Sequence, residues 1–204
     1  MSWPTDEELA NGSEISDIPE LSDAKSIYSS SGVQVRLVDG DVPPASRMQI
    51  AHLAYVAQRA MPKFKTGYDG TVNQDDQRLY VMCSANKAIG LVLTALQGRF
   101  WDVAWGSNGS VCLRSETPIL ERRATIARVW ISTNNRNKGF GCKLLECSLS
   151  HLNLPAIDAG WEFPFTESGS RLVRHYCPQR FLACCDNWTI IENTTPCGER
   201  VGEI

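Results

Sequence analysis

The residues whose types and spacing are most informative for chemistry are Arg136-Asn137-Lys138-Gly139-Phe140-Gly141. Two glycines, two positions apart, carry no Cβ, so an anion can come close to the backbone there. Arg136 and Lys138 add positive charge at the mouth of the same loop. A helical run, Cys142-Lys143-Leu144-Leu145-Glu146-Cys147-Ser148-Leu149, follows directly. The first backbone N–H groups of a helix have no partner inside it, and the helix dipole favours negative charge at that end. A pyrophosphate suits such a loop. The spacing R-x-x-G-x-G is not the G-x-x-x-x-G-K-[ST] of a nucleoside-triphosphate loop, and it lacks the first glycine of the dinucleotide fingerprint G-x-G-x-x-G.

The elements that must hold this loop are legible on either side. Arg128-Val129-Trp130-Ile131 is β-branched and aromatic and reads as a strand, and Ser132-Thr133-Asn134-Asn135 are turn-formers. The order is strand, basic glycine loop, helix. Upstream, Val33–Val38 alternates at period two and reads as a strand, and Ser46 caps an amphipathic helix expected to run to Met61. Residues 63–77 read as a loop. Arg78–Ala85 and Ala88–Leu96 form a hairpin pattern around Asn86-Lys87, and residues 97–123 read as an irregular insertion. Downstream, a strand is expected within residues 156–165. A helix capped by Thr166 or Ser168 runs through Tyr176, and one or two closing strands lie in 181–191. This alternation predicts an α/β (α+β) chain with a central mixed sheet flanked by helices.

Of the 204 residues, 43% are hydrophobic and 21% charged, the proportions of a soluble globular domain, so neither a disordered chain nor a membrane protein is expected. No apolar run approaches the ~20 residues that span a bilayer, and the acidic start Met1–Glu8 is unlike a secretory signal, so the expected location is intracellular. Residues 1–31 carry seven acids against Lys25 alone and read as a disordered acidic tail. The body, residues 32–192, is then mildly basic, which suits an anionic cofactor but not direct nucleic-acid binding. Residues 193–204 read as a polar C-terminal tail. Eight cysteines and three histidines show no zinc-ligand spacing, and the cysteines read as small core residues.

The glycine loop resembles the acetyl-CoA pyrophosphate loop, Q/R-x-x-G-x-G/A, of the GNAT N-acetyltransferases, and the order of elements is also theirs. Ile126–Ile131, the loop, Leu145-Glu146-Cys147, and Phe165-Thr166-Glu167-Ser168-Gly169 through Tyr176-Cys177 resemble the C-terminal catalytic domain of the cohesin (establishment-of-cohesion) acetyltransferases. The resemblance implies a GNAT acyl-CoA N-acyltransferase fold with a mostly antiparallel sheet. It also implies acetyl-CoA as cofactor, direct attack in a ternary complex, and a protein lysine ε-amine as acceptor, with a cohesin subunit as partner and the nucleus as location. By that resemblance the backbone of Val129, Trp130 and Ile131 holds the pantetheine arm. Arg136, Asn137, Lys138, Gly139, Phe140, Gly141 and Cys142 hold the pyrophosphate, and Thr166, Glu167 and Ser168 touch the cofactor's inner end.

Glu146 falls where the family has a glutamate important for activity, although a helical wheel places it beyond the edge of the apolar face. Tyr176 falls where many GNATs have a tyrosine that protonates the leaving thiolate. Ala127 stands where the family has an active-site serine, and Pro164 where it has Asp or Gln. Glu162, on the same face of the strand as residue 164, is the carboxylate placed to act instead.

Overall fold

The computed structural model describes residues 21, 24–43, 76–85, 87–107, 109–163 and 165–185. The expected helix at 46–61, most of the loop at 63–77, Pro164 and the strand expected at 188–191 lie outside them. The chain divides into two compact units, one of Met1–Ala95 with Ala127–Asn153, the other of Leu96–Ile126 with Leu154–Ile204.

In the first unit the strand order is β1 (Lys25–Ser30), β2 (Val33–Val38), β3 (Gln77–Ser84), β4 (Lys87–Gln97) and β7 (Arg123–Ile131). β1 to β4 are antiparallel neighbours. β1 corrects the expected disordered tail of residues 1–31, since Lys25–Ser30 pairs with β2 as a strand. It joins β2 through a two-residue turn whose members, Ser31 and Gly32, have φ of 52° and 78°. Both central positions of such a hairpin turn need positive φ, and Ser-Gly supplies it. β1 reads as tail because it lies at the end of the strand order and most of its residues are exposed, so burial gives it no apolar alternation.

β4 is the opposite case. Ala88 through Ala95 are all buried, and the strand shows a nearly unbroken apolar run rather than alternation. One face of this sheet builds a core from Val38, Leu79, Val81, Leu91, Leu93 and Trp130, joined by Leu21 and Val42. Arg36 secures that segment, donating from Nη1 to the Leu21 carbonyl at 2.7 Å. Helix α1 (Phe140–His151) packs against β3 and β1 and buries Leu144, Leu145, Ser148 and Leu149.

The second unit has the order β7, β8 (Gly160–Glu162), β9 (Arg180–Cys184), β5 (Trp101–Trp105) and β6 (Val111–Leu113). β8 runs parallel to β7 and β9, and β5 is antiparallel to β9 and β6. The stretch expected to be an irregular insertion therefore contributes two strands, and its last residue, Arg123, opens β7. Trp101, Val103 and Phe100 supply the buried positions there, a period-two signal masked by the glycines and prolines around it. Gly160 lets β8 into this sheet, because a Cβ at that position would meet the Phe100 ring and lie 2.6 Å from Thr125 Oγ1. Helix α2 (Glu167–Tyr176) begins at Thr166, whose hydroxyl accepts from the Gly169 N–H at 3.1 Å. Cys112, Cys177, Cys184 and Cys185 are buried.

Candidate functional site

The site grows from the end of β7. Ser132, the residue after the strand, donates its N–H to the Ile89 carbonyl of β4 at 2.9 Å. A single 3-10 turn, Thr133–Asn135, then reverses the chain. Asn135 fixes it twice, its N–H donating to the Ser132 carbonyl at 2.9 Å and its side-chain amide to Ser132 Oγ at 2.8 Å. Arg136 donates from Nε to the Ile131 carbonyl at 3.1 Å. Its guanidinium is thereby anchored to the strand end while the residue stays exposed.

Asn137 has φ of 60° and Gly139 φ of 79°. Two left-handed residues within three positions curl the loop onto the helix, and Gly139 becomes the residue that precedes α1. Its carbonyl accepts the first helical bond, from the Lys143 N–H at 3.0 Å. No side chain caps this helix and no acid occupies its first turn. A Cβ at Gly139 would meet nothing within 4 Å. The helix therefore starts with uncapped N–H donors at an open surface flanked by Arg136 and Lys138, both exposed. That is what an anion needs.

Gly141 differs from Gly139. Its Cβ would rest 3.6 Å from Ile131 Cγ1, an ordinary contact, so alanine fits there. This is the physical ground for G/A at the last position of the loop pattern. Gly90, which no motif singles out, sets how close the parts lie. A Cβ there would collide with the Ile131 side chain and lie 3.0 Å from the Trp130 carbonyl. An isolated glycine inside a strand pattern is the signal that could have found it.

Along β7, Ala127 and Trp130 both pack against the same core, although residues three apart in a regular strand face opposite ways. Val129 and Ile131 are half-buried and Trp130 is buried in the core. The strand, the loop and the helix start thus bring together Val129, Trp130, Ile131 and the run 136–142. Glu146 is exposed on α1, off the face that packs. In the same helix Lys143 sits with its ammonium 4.4 Å from the centre of the Tyr28 ring of β1.

The other sequence-derived candidates belong to the second unit. Glu162 is half-buried at the end of β8. Thr166 caps α2, Glu167 forms an ion pair with Arg171 one turn on, and Ser168 is exposed. Tyr176 is half-buried at the last position of α2, its ring edge-on to His175 at 4.9 Å. The same unit holds an aromatic cluster of Trp105, Phe163, Phe165 and Phe181, with Phe165 and Phe181 5.4 Å apart. Trp105 donates from Nε1 to the Cys177 carbonyl at 2.8 Å and carries the Arg174 guanidinium over its face at 4.5 Å. The insertion's tryptophan thus ties β5 to the residue that follows Tyr176, which no motif announced. Burial pushes the adjacent Cys177 thiol up to about 11, so this cysteine is no nucleophile near neutral pH.

No protein-family model and no curated protein matches this chain. Solved structures do. The xEco2 acetyltransferase domain bound to a K105-CoA conjugate superposes with a TM-score of 0.65 at 15% identity, over 79% of this chain and 96% of that one. A second structure of the xEco2 acetyltransferase domain gives 0.63 at 17% identity, over 79% of this chain and 95% of that one. A mixed, mostly antiparallel sheet, a glycine loop between β7 and α1, and this superposition lead to one conclusion: the chain has the GNAT acyl-CoA N-acyltransferase fold, in the form that the xEco2 acetyltransferase domain displays.

Proposed function

We propose that this protein is an N-acetyltransferase that moves acetyl from acetyl-CoA to an amine, the amine being a lysine side chain of a protein. The observation that carries the reading is the β7–α1 junction: an open Gly139 at φ 79°, an uncapped helix start without acids, and exposed Arg136 and Lys138. The residues present fit a pyrophosphate. Acetyl-CoA, when bound, supplies an activated thioester.

The chain's own part is then positioning and proton handling. Backbone groups of Val129, Trp130 and Ile131 hold the pantetheine arm, and Arg136 with residues 137–142 holds the pyrophosphate. Thr166, Glu167 and Ser168 meet the cofactor's inner end. Glu162 takes a proton from the acceptor's ammonium so that the free amine attacks, and the Tyr176 hydroxyl gives one to the departing thiolate. Glu146, exposed on α1, acts at the acceptor side through its charge. The resemblance to the cohesin acetyltransferases makes a cohesin subunit the first acceptor to try and the nucleus the first location to examine.

A second reading, a GNAT-fold interaction protein without activity, draws on Ala127, whose side chain packs against the core where the family carries its serine. Thiol release from acetyl-CoA with lysine peptides separates the two. The enzyme turns over, and Tyr176→Phe and Glu162→Gln each lower kcat by about 10²–10⁴-fold, the usual weight of one proton-transfer group. Acetyl-CoA binding without turnover on any lysine peptide or small amine supports the second reading instead.

A further inference from the structure

The chain between β7 and α1 is nearly all surface. Of the seven residues from Thr133 to Gly139, six are exposed and Asn135 alone is half-buried. Its side chain is withdrawn because the amide Nδ2 donates to Ser132 Oγ at 2.8 Å, while the backbone N–H of the same residue donates to the Ser132 carbonyl at 2.9 Å. Ser132 is itself fixed. It is 1% exposed, and its N–H donates to the Ile89 carbonyl of β4 at 2.9 Å. Asn135 thus ties an exposed loop to a buried point at the end of the sheet.

The residue that follows needs such a tie. An exposed arginine has a long side chain with many rotamers, and ordering it when a ligand arrives opposes binding. Arg136 is ordered beforehand, because its Nε donates to the Ile131 carbonyl at 3.1 Å. That bond spans the turn, so it closes only while residues 132–135 keep their shape. The backbone alone holds this shape loosely, since the Arg136 N–H reaches the Thr133 carbonyl at 3.3 Å. The shorter amide-to-hydroxyl bond of Asn135 supplies the rest. It does so without charge, whereas an aspartate at the same place would set a negative group beside an anion.

We propose that Asn135, bonded to Ser132 Oγ, is a positioning residue for the cofactor's pyrophosphate: it holds the turn that sets the Arg136 guanidinium where the anion is received. Both residues precede the R-x-x-G-x-G pattern, which begins at Arg136. Asn135 acts through Arg136 rather than on the ligand. The proposal rests on the acetyl-CoA reading of the β7–α1 junction and deepens it.

The test is isothermal titration of the full-length protein with CoA, for wild type, Asn135→Ala, Arg136→Ala and the double variant, with thermal unfolding to confirm that each is folded. Ser132→Ala breaks the same bond from its other end and serves as an independent variant. Asn135→Ala and Ser132→Ala are each expected to raise the Kd about 10-fold, the usual effect of having to order one long side chain on binding. Arg136→Ala should raise it at least as much. In the double variant Asn135→Ala should add no more than about 2-fold, because the group it positions is already gone. A merely structural role would lower the Tm and leave the two substitutions additive. Additive effects therefore overturn the proposal, and so does a Kd within about 2-fold of wild type in folded Asn135→Ala and Ser132→Ala. No binding of CoA by the wild-type protein at millimolar concentration overturns the acetyl-CoA reading of the junction, and this proposal with it.

Discussion

At the scale of the residue, glycines carry most of the argument, each for a different reason. Gly139 is needed for its φ of 79° and for the open space beside it. Gly139→Ala should cost about 1–2 kcal/mol of stability from the left-handed backbone alone. Gly141 has ordinary clearance, so Gly141→Ala should leave stability within about 1 kcal/mol and cofactor binding intact, as chemical denaturation and titration would show. Gly160→Ala is the severe case. Its Cβ has no room between the Phe100 ring and Thr125, both buried, so denaturant unfolding should register a loss of about 1–3 kcal/mol or more. The sequence announced the first of these plainly, because R-x-x-G-x-G between a strand and a helix is a pattern with a mechanism. It could not announce Gly160, whose role depends on Phe100, some sixty positions earlier in the chain.

At the scale of the element, local signals served where burial is one-sided and failed where it is not. β2 alternates because only part of it meets the core, and the hairpin of β3 and β4 shows in its apolar runs. β1 went unseen because an exposed edge strand needs no apolar residues, and β5 and β6 because their strands are short and ringed by turn-formers. The start of α2 was read from Thr166 or Ser168, and the structure selects Thr166. Thr166→Ala should therefore cost about 1 kcal/mol, the usual worth of a side-chain N-cap, and Ser168→Ala a few tenths at most. Far-UV circular dichroism with urea unfolding distinguishes them.

At the scale of the whole molecule, the buried titratable groups set an alkaline limit. Burial pushes Tyr80 up to about 12 and Cys83 and Cys177 up to about 11. Tyr80 also shares a 3.2 Å hydrogen bond with His151 Nδ1. These folded-state values lie above the ordinary 9.0 for a thiol and 10.0 for tyrosine. The native chain therefore holds its protons longer than the unfolded chain does. The stability this contributes is complete below pH 9.0 and is lost as pH rises through the range from 11 to 12. The expected outcome is a stability profile with a steep alkaline limb above pH 9.0. At least one of the five tyrosines should titrate by tyrosinate absorbance only as that limb is reached. The order of strand, glycine loop and helix, by contrast, was legible, since β7, the loop and α1 fall where the pattern puts them.

The central claim is that the β7–α1 junction is an acetyl-CoA site, and isothermal titration with acetyl-CoA and with CoA tests it most directly. The wild-type protein is expected to bind acetyl-CoA with a Kd on the order of micromolar. In Gly139→Trp, whose side chain fills the open approach to the helix start, affinity should fall at least ~100-fold, about 2.7 kcal/mol, while the protein stays folded. Absence of binding at millimolar acetyl-CoA, or binding that Gly139→Trp leaves unchanged, would contradict it.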